Sequence, residues 1–271
     1  MGTTLTPMLK RHNAYLSLRG LLRPRVGADC GFEAAQLLSH ICDDAPEVND
    51  AQWRALLLCV ARRAKGEPLQ YIIGRWAFYG LDFFVSPAAL IPRPESEFLV
   101  ETFLSRTIPA EPLRILDLCC GTGCIGIAVA KKLECDMRFA DLSADALALA
   151  QKNAVHHGIP GRFVLCDLFE NITERFDAIL CNPPYLSDAD LLSLQKELEF
   201  EPRMALYGGA DGLDSYRQLR QDAPAHLAPG GALYMEIGAT QAEAIRALFE
   251  DCEIINDLEN RPRVAIYKPK S

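Results

Sequence analysis

Residues 114–130 read Arg114-Ile-Leu-Asp-Leu-Cys-Cys-Gly-Thr-Gly-Cys-Ile-Gly-Ile-Ala-Val-Ala130. The β-rich run 115–118 meets a glycine-rich turn, and a helix pattern follows from Ile125. A strand that feeds such a turn and then a helix sets backbone N–H groups at its carboxyl end, where open α/β sheets bind ligands. Twenty residues after Gly121, Asp141 ends a second strand-like run, 137–140. An acidic residue there accepts hydrogen bonds from ribose hydroxyls. Outward from this pair, residues 144–156 read as a helix, 162–166 as a strand, 178–181 as a short apolar strand and 215–227 as a helix. Residues 228–231 read as a turn, 232–237 as a strand and 264–267 as a last strand. This alternation predicts a doubly wound, mostly parallel sheet.

The strand at 178–181 runs straight into Asn182-Pro183-Pro184-Tyr185. Each proline fixes its own φ and pushes the preceding residue out of the helical region, so the loop is stiff and extended. Asn182 offers an amide carbonyl and an amide NH2. Pro183 adds a backbone carbonyl with no N–H beside it, and Tyr185 adds a flat face. Two acceptors beside an aromatic plate suit a planar –NH2 group, either an amide or an exocyclic amine. At a third strand end, Asp167 and Leu168 suit a purine, the acid taking the exocyclic amine and the apolar side chain the ring face. A plain surface turn is the other reading, and spacing alone favours it.

The chain has 271 residues, 49% hydrophobic and 24% charged, the balance of an ordinary soluble globular protein. The longest apolar run near the N-terminus, 55–61, is far too short to span a bilayer, and no signal peptide is evident. Ten cysteines lie scattered without paired spacing, so a reduced, cytoplasmic compartment is expected. Cys119, Cys120 and Cys124 form a metal set on paper, but small residues packing a tight loop is the favoured reading. Residues 1–113 carry 12 Lys and Arg against 12 Asp and Glu, so residues 114–271 hold the whole net charge of −8. That acidic half is a poor match for duplex nucleic acid, whose binding rests on cationic contacts to phosphate.

Residues 1–65 read as helices. Asn49 is the expected N-cap of one whose apolar stripe is Trp53, Leu56, Leu57 and Val60, and Phe32, Ala35, Leu38 and Ile41 make a similar stripe. His12 and His40 are isolated and read as structural. Residues 66–100 change character, with aromatic and β-branched residues between spaced glycines that suggest a hairpin. Arg93, bracketed by Pro92 and Pro94, either faces an anionic group or simply joins domains, and a helix starts near Ser96.

Gly121, Gly123 and Gly126 satisfy the dinucleotide fingerprint, with Asp141 near the expected place, but that motif alone is weak. Asp117, before the loop, is placed to take an ammonium group or to orient the loop. The Asn182 loop has no role in hydride transfer. Glycine loop and Asn-Pro-Pro-Tyr together resemble a class I S-adenosylmethionine-dependent methyltransferase. The match widens with Pro68-Leu-Gln-Tyr-Ile72, Leu90-Ile-Pro-Arg-Pro-Glu95, Glu201-Pro202, Gly208-Gly209 and Asp211-Gly-Leu213. Jointly these look like the HemK/PrmC-type peptide chain release factor N5-glutamine methyltransferases, over roughly residues 20–250.

The resemblance implies a class I, Rossmann-like domain over 91–271, with a seven-stranded sheet and helices on both faces. A substrate-docking helical domain over 1–65 and a β-hairpin linker over 66–90 precede it. The implied substrate is the glutamine of the Gly-Gly-Gln loop of class I release factors, and the implied cofactor is S-adenosyl-L-methionine, released as S-adenosyl-L-homocysteine, with no metal. A monomer with no membrane and no direct DNA partner is expected. Carried onto this chain, the cofactor lies against Asp117, Cys119, Cys120, Gly121, Thr122 and Gly123. Asp141 takes the ribose hydroxyls, and Asp167 and Leu168 lie at the adenine. Asn182 borders cofactor and substrate, and Asn182, Pro183, Pro184 and Tyr185 hold the glutamine. Three places depart from the family pattern: Cys119 replaces the first loop glycine, Ser96 stands where threonine is common, and 257–263 lacks a glycine. An adenine-N6 enzyme uses the same loop logic on an exocyclic amine; the charge balance and residues 66–101 weigh against it. A cofactor-binding scaffold without activity is the reading from a different class, and the intact Asn182 loop argues against that.

Overall fold

The computed structural model describes residues 8–107, 111–193 and 196–270. The chain divides into two compact units, Met1–Gly74 and Arg75–Ser271.

The first unit holds a two-residue strand pair, β1 (Leu9–Lys10) with β2 (Glu47–Val48), and four helices: α1 (Arg11–Val26), α2 (Cys30–Cys42), α3 (Asp50–Ala64) and α4 (Leu69–Ile73). Asn49 starts α3 as expected: its side chain accepts from Gln52 N–H at 2.9 Å, and the Gln52 side chain accepts from Asn49 N–H at 3.0 Å. This reciprocal cap satisfies two end donors. The expected stripe on α2 is out of phase. Leu38 is buried as expected, but Phe32 is 54% exposed and Ala35 exposed, whereas Glu33, Ala34 and Leu37 are buried. Glu33 turns inward because Arg63 of α3 meets it, with Nε–Oε2 at 2.8 Å and Nη2–Oε1 at 2.9 Å. On α3, Leu56 is buried but Leu57 is exposed, and Arg63 takes a place on the inner face. Residues 69–73, expected in the hairpin segment, are helical. Gly74 ends that helix in the left-handed region at φ +75°, where glycine carries no Cβ penalty.

The second unit opens with a hairpin, β3 (Arg75–Phe78) and β4 (Leu81–Phe84), then α5 (Pro94–Arg106). The sheet strands and helices follow as β5 (Leu113–Leu118), α6 (Cys124–Ala130), β6 (Cys135–Asp141), α7 (Ala144–His157), β7 (Arg162–Leu165) and β8 (Phe176–Cys181). Last come α8 (Asp188–Leu192), α9 (Asp214–His226), β9 (Leu227–Glu236), α10 (Ala242–Leu248), β10 (Glu253–Asn256) and β11 (Pro262–Tyr267). The seven-stranded sheet has the order β10-β11-β9-β8-β5-β6-β7, with β11 antiparallel to both neighbours and the other pairs parallel. Residues 228–231, expected as a turn, lie inside β9, where a register shift and Gly230 at φ +81° absorb the kink.

Both sheet faces are covered, which explains the near-continuous apolar runs of the central strands. On β8, Ala178 and Leu180 join the core under α5, α6 and α7; Ile179 and Cys181 join the core under α9 and α10. The chain winds outward from β5 through β6 to β7, then returns to β8 on the other side of β5. The strand order therefore reverses between β5 and β8, and crevices for ligands open at the carboxyl ends of such a pair.

Candidate active site

A cavity opens where that rule places it. It is lined by residues following four adjacent parallel strands: Cys119 to Thr122 after β5, Asp141 to Ser143 at the end of β6, Cys166 to Leu168 after β7, and Asn182 and Pro184 after β8. The order across the sheet edge is apolar shelf, carboxylate, glycine loop, amide. At ~4.8 Å per strand these four ends span roughly 14 Å.

The glycine loop is held by side chains at both flanks. Cys119, Gly121 and Gly123 have positive φ values of 57°, 54° and 75°. A cysteine in that region carries strain of about 1–3 kcal/mol, tolerated where surrounding structure over-determines it. Asp141 accepts from Gly121 N–H at 2.8 Å and from Ser143 N–H at 2.9 Å. Burial lifts its carboxyl above the ordinary value, while the backbone N–H groups of Ser143, Gly121 and Leu142 favour the charge. Each oxygen keeps a lone pair, so the residue is equipped to take ribose hydroxyls from the cavity side.

Asp117 sits elsewhere. It is fully buried, does not line the cavity, and accepts from Gly126 N–H at 2.8 Å. Burial raises its carboxyl well above the carboxylate range. Of its two expected roles, the geometry favours orienting the loop over taking an ammonium group. Gly126 has to be glycine, since a Cβ there would stand 2.7 Å from Phe139 Cε1 and 2.8 Å from Asp117 Oδ2. Gly123 starts α6 and also lies off the cavity. Cys120 and Cys124 pack into the core, and burial pushes the Cys124 thiol up to about 12, against the thiolate a metal needs. Among the described residues no group of three or more His, Cys, Asp or Glu side chains is placed to hold a metal ion.

At the other end of the cavity, Asn182 donates from Nδ2 to Ser96 Oγ at 3.1 Å, and Ser96 Oγ donates to Glu236 Oε2 at 2.5 Å. Tyr185 turns its hydroxyl to Glu236 Oε1 at 3.3 Å. Pro183 is buried, and neither Pro183 nor Tyr185 is among the residues that line the cavity; Tyr185 packs against the core under α9 and α10. The glycine-rich segment after residue 207 clamps this loop from behind. Gly208 donates to Leu186 O at 2.9 Å, and a Cβ on Gly208 would stand 2.6 Å from Pro184 O. Gln241 Nε2 donates to Tyr185 O at 3.0 Å and Gly212 O at 3.1 Å. Arg93 does face an anionic group: it pairs with the buried carboxylate of Glu201, which also accepts from Ile91 N–H at 2.9 Å. Glu201 thereby fixes the segment Ile91 to Arg93, which forms one cavity wall.

Ser96 and Glu236 escaped sequence reading as site residues. The one available signal was weak: a carboxylate closing an otherwise apolar strand pattern. Their partnership spans 140 positions.

A family model described as Methyltransferase small domain matches residues 94–199, and a second, PrmC N-terminal domain, matches residues 30–74. The chain is 41% identical over 273 residues to the release factor glutamine methyltransferase of Geobacter sulfurreducens, covering 96% of this chain and 95% of that relative. It is 37% identical over 265 residues to that of Moorella thermoacetica, covering 92% of each. Among solved structures it is similar to a methyltransferase from Pyrococcus furiosus, with a TM-score of 0.53 and 17% identity over 76% of this chain and 95% of that one. It is also similar to the T. thermophilus 16S rRNA N2 G1207 methyltransferase in complex with AdoMet and guanosine, with a TM-score of 0.53 and 18% identity over 72% and 50%. At such identities the two structures establish the fold alone.

Proposed function

The chain belongs to the release factor glutamine methyltransferase family, and we propose that it acts on the glutamine of the Gly-Gly-Gln loop of class I peptide chain release factors, modulating translation termination. It is an S-adenosylmethionine-dependent methyltransferase, and the atom methylated is the side-chain amide nitrogen, N5. The observation that carries this reading is the single cavity that brings the glycine loop of β5 and the Asn182 loop of β8 together. A cofactor wall and an amide-recognising wall face one space.

The residues present fit the cofactor. Asp141 would hold the ribose, Cys166 to Leu168 the adenine, and Cys119 to Thr122 the remaining chain. When bound, S-adenosyl-L-methionine supplies a sulfonium methyl group. The acceptor is a poor nucleophile, because its lone pair is delocalised into the amide carbonyl. Asn182 Oδ1 and the Pro183 carbonyl accept its two N–H bonds, and the lone pair then points along the line of methyl transfer; as the N–C bond forms and the methyl–sulfur bond breaks, one of those protons leaves to solvent. Tyr185 packs on the glutamine stem. Orientation of this kind contributes on the order of 7–11 kcal/mol when reacting atoms are near contact. Hydrogen bonds that strengthen as the nitrogen becomes positive add to it.

The helical segment over 1–65 docks the release factor in this reading. The enzyme works as a cytoplasmic monomer on a protein substrate, without DNA or membrane. No helix among the described residues is long and apolar enough to cross a membrane. Deleting the helical segment is expected to weaken affinity for intact release factor; unchanged affinity would remove that assignment.

Labelled methyl transfer to three substrates side by side tests the whole reading. A class I release factor is expected to take label. The same factor with its Gly-Gly-Gln glutamine replaced, and single-stranded DNA, are expected to take none. Label on DNA would overturn the protein substrate. At the cofactor end, Asp141→Ala is expected to weaken S-adenosylmethionine binding by about tenfold or more, the loss of a charge-assisted hydrogen bond. Calorimetric titration measures it, and an unchanged Kd would remove Asp141 from the ribose site.

A further inference from the structure

We propose that Ser96 and Glu236 are positioning residues that decide which end of the Asn182 amide meets the substrate. The inference rests on the reading of Asn182 as the acceptor for a substrate N–H, and adds the groups that make it an acceptor. An asparagine amide presents a carbonyl on one side and an NH2 on the other, and the two are nearly equal in size. Only the carbonyl is useful toward the glutamine –NH2; the reverse orientation would set donors against donors. Something must therefore hold the amide one way round.

Proton counting along the chain of contacts shows what does. Glu236 is 2% exposed, and its carboxylate accepts only. A serine hydroxyl has one proton, and that of Ser96 goes to Glu236 Oε2 at 2.5 Å. Ser96 then has only lone pairs to offer Asn182. The amide can satisfy them only with its NH2, at 3.1 Å. Oδ1 is turned away from Ser96 as a consequence. The order carboxylate, hydroxyl, amide thus transmits a single polarity to Asn182.

The fold supports this order from several elements. Strands β8 and β9 pair Cys181 with Met235, so Asn182 and Glu236 leave the sheet side by side. Helix α5 brings Ser96, itself 2% exposed, between them. Tyr216 of α9 donates its hydroxyl to the Glu236 carbonyl at 2.8 Å, anchoring the strand end. Burial raises the Glu236 carboxyl, while the Ser96 hydroxyl, the Arg263 charge and the Tyr185 hydroxyl favour the ion. The same carboxylate holds Tyr185 at 3.3 Å, so one buried group ties both ends of the Asn182 to Tyr185 loop.

The test is single-turnover methyl transfer to a class I release factor by full-length enzyme, with S-adenosylmethionine affinity read alongside. Ser96→Ala is expected to slow transfer about tenfold or more, the usual effect of one lost orienting hydrogen bond, with KM and cofactor Kd little changed. Ser96→Thr keeps the hydroxyl and is expected to restore most of the rate. Glu236→Gln introduces an NH2 that can donate to Ser96, which frees the serine proton for Asn182 Oδ1 and is expected to slow transfer similarly. In the Asn182→Ala background, Ser96→Ala is expected to add nothing, since the amide it orients is gone. A normal rate for Ser96→Ala in active enzyme would overturn the inference. So would an equal further loss in the Asn182→Ala background, which would mean that Ser96 acts independently. If wild-type enzyme itself fails to label the Gly-Gly-Gln glutamine, the functional reading fails instead.

Discussion

Asn182→Ala is expected to cut single-turnover methyl transfer by about 100- to 1,000-fold, the typical loss when one preorganised hydrogen bond to the reacting group is removed. S-adenosylmethionine affinity is expected to remain near normal. The separation follows from the geometry. The glycine loop is held by Asp117 and Asp141 through Gly126 and Gly121, with no contribution from Asn182. The Asn182 side chain is tied instead to Ser96, at the proposed substrate end of the cavity. Truncation also leaves Ser96 without the partner that receives its lone pairs, so part of the loss comes from relaxation of that corner. Near-normal single-turnover rates in this variant would sink the assignment of Asn182 as the substrate acceptor.

Glu33→Ala is expected to destabilise the helical unit by about 3–5 kcal/mol, the usual cost of removing one partner of a buried ion pair. Arg63 stands 3% exposed, and its Nε and Nη2 both meet the Glu33 carboxylate. Without Glu33 a guanidinium is left buried with its main counter-charge gone. Against total domain stabilities of about 5–15 kcal/mol this is a large fraction. Replacing both residues by apolar side chains, Glu33→Leu with Arg63→Met, is expected to recover most of the loss, because the desolvation cost vanishes with the charges. Urea unfolding followed by helical circular dichroism measures both variants. A loss under about 1 kcal/mol for Glu33→Ala would mean that the pair is solvated and behaves as a surface bridge. If the helical unit docks the release factor as proposed, loosening it is expected to lower affinity for release factor before it affects transfer at the Asn182 loop.

That ion pair also overturns the phase of the apolar stripe expected on α2. On α2 hydrophobic spacing predicts an inward stripe through Phe32. The structure exposes Phe32 and buries Glu33 instead. Hydrophobic periodicity has no term for a charge that finds its counter-ion on another helix. Arg63 lies 30 positions away, and nothing local announces the pairing. The turn expected at 228–231 is kept only as an irregularity inside β9. Pro-Gly-Gly is a strong turn signal, yet β9 passes through it with a bulge, because pairing to β8 resumes at Ala232.

The sequence by itself determined the fold class and, through its resemblance to a known family, the class of chemistry. Glycine spacing, the acid after 137–140, and Asn182-Pro-Pro-Tyr185 are local features, legible because short-range sterics and hydrogen-bonding capacity act within a few residues. Capping at Asn49 was equally readable, since its partner Gln52 is three residues away. Only the tertiary structure decided that β11 runs antiparallel, that Asp117 serves the loop and not the cavity, and that Glu201 holds Arg93. It alone joined Ser96, Asn182 and Glu236. The physical reason is distance along the chain: those contacts link positions 86 and 140 apart, and their worth depends on burial that no local pattern encodes.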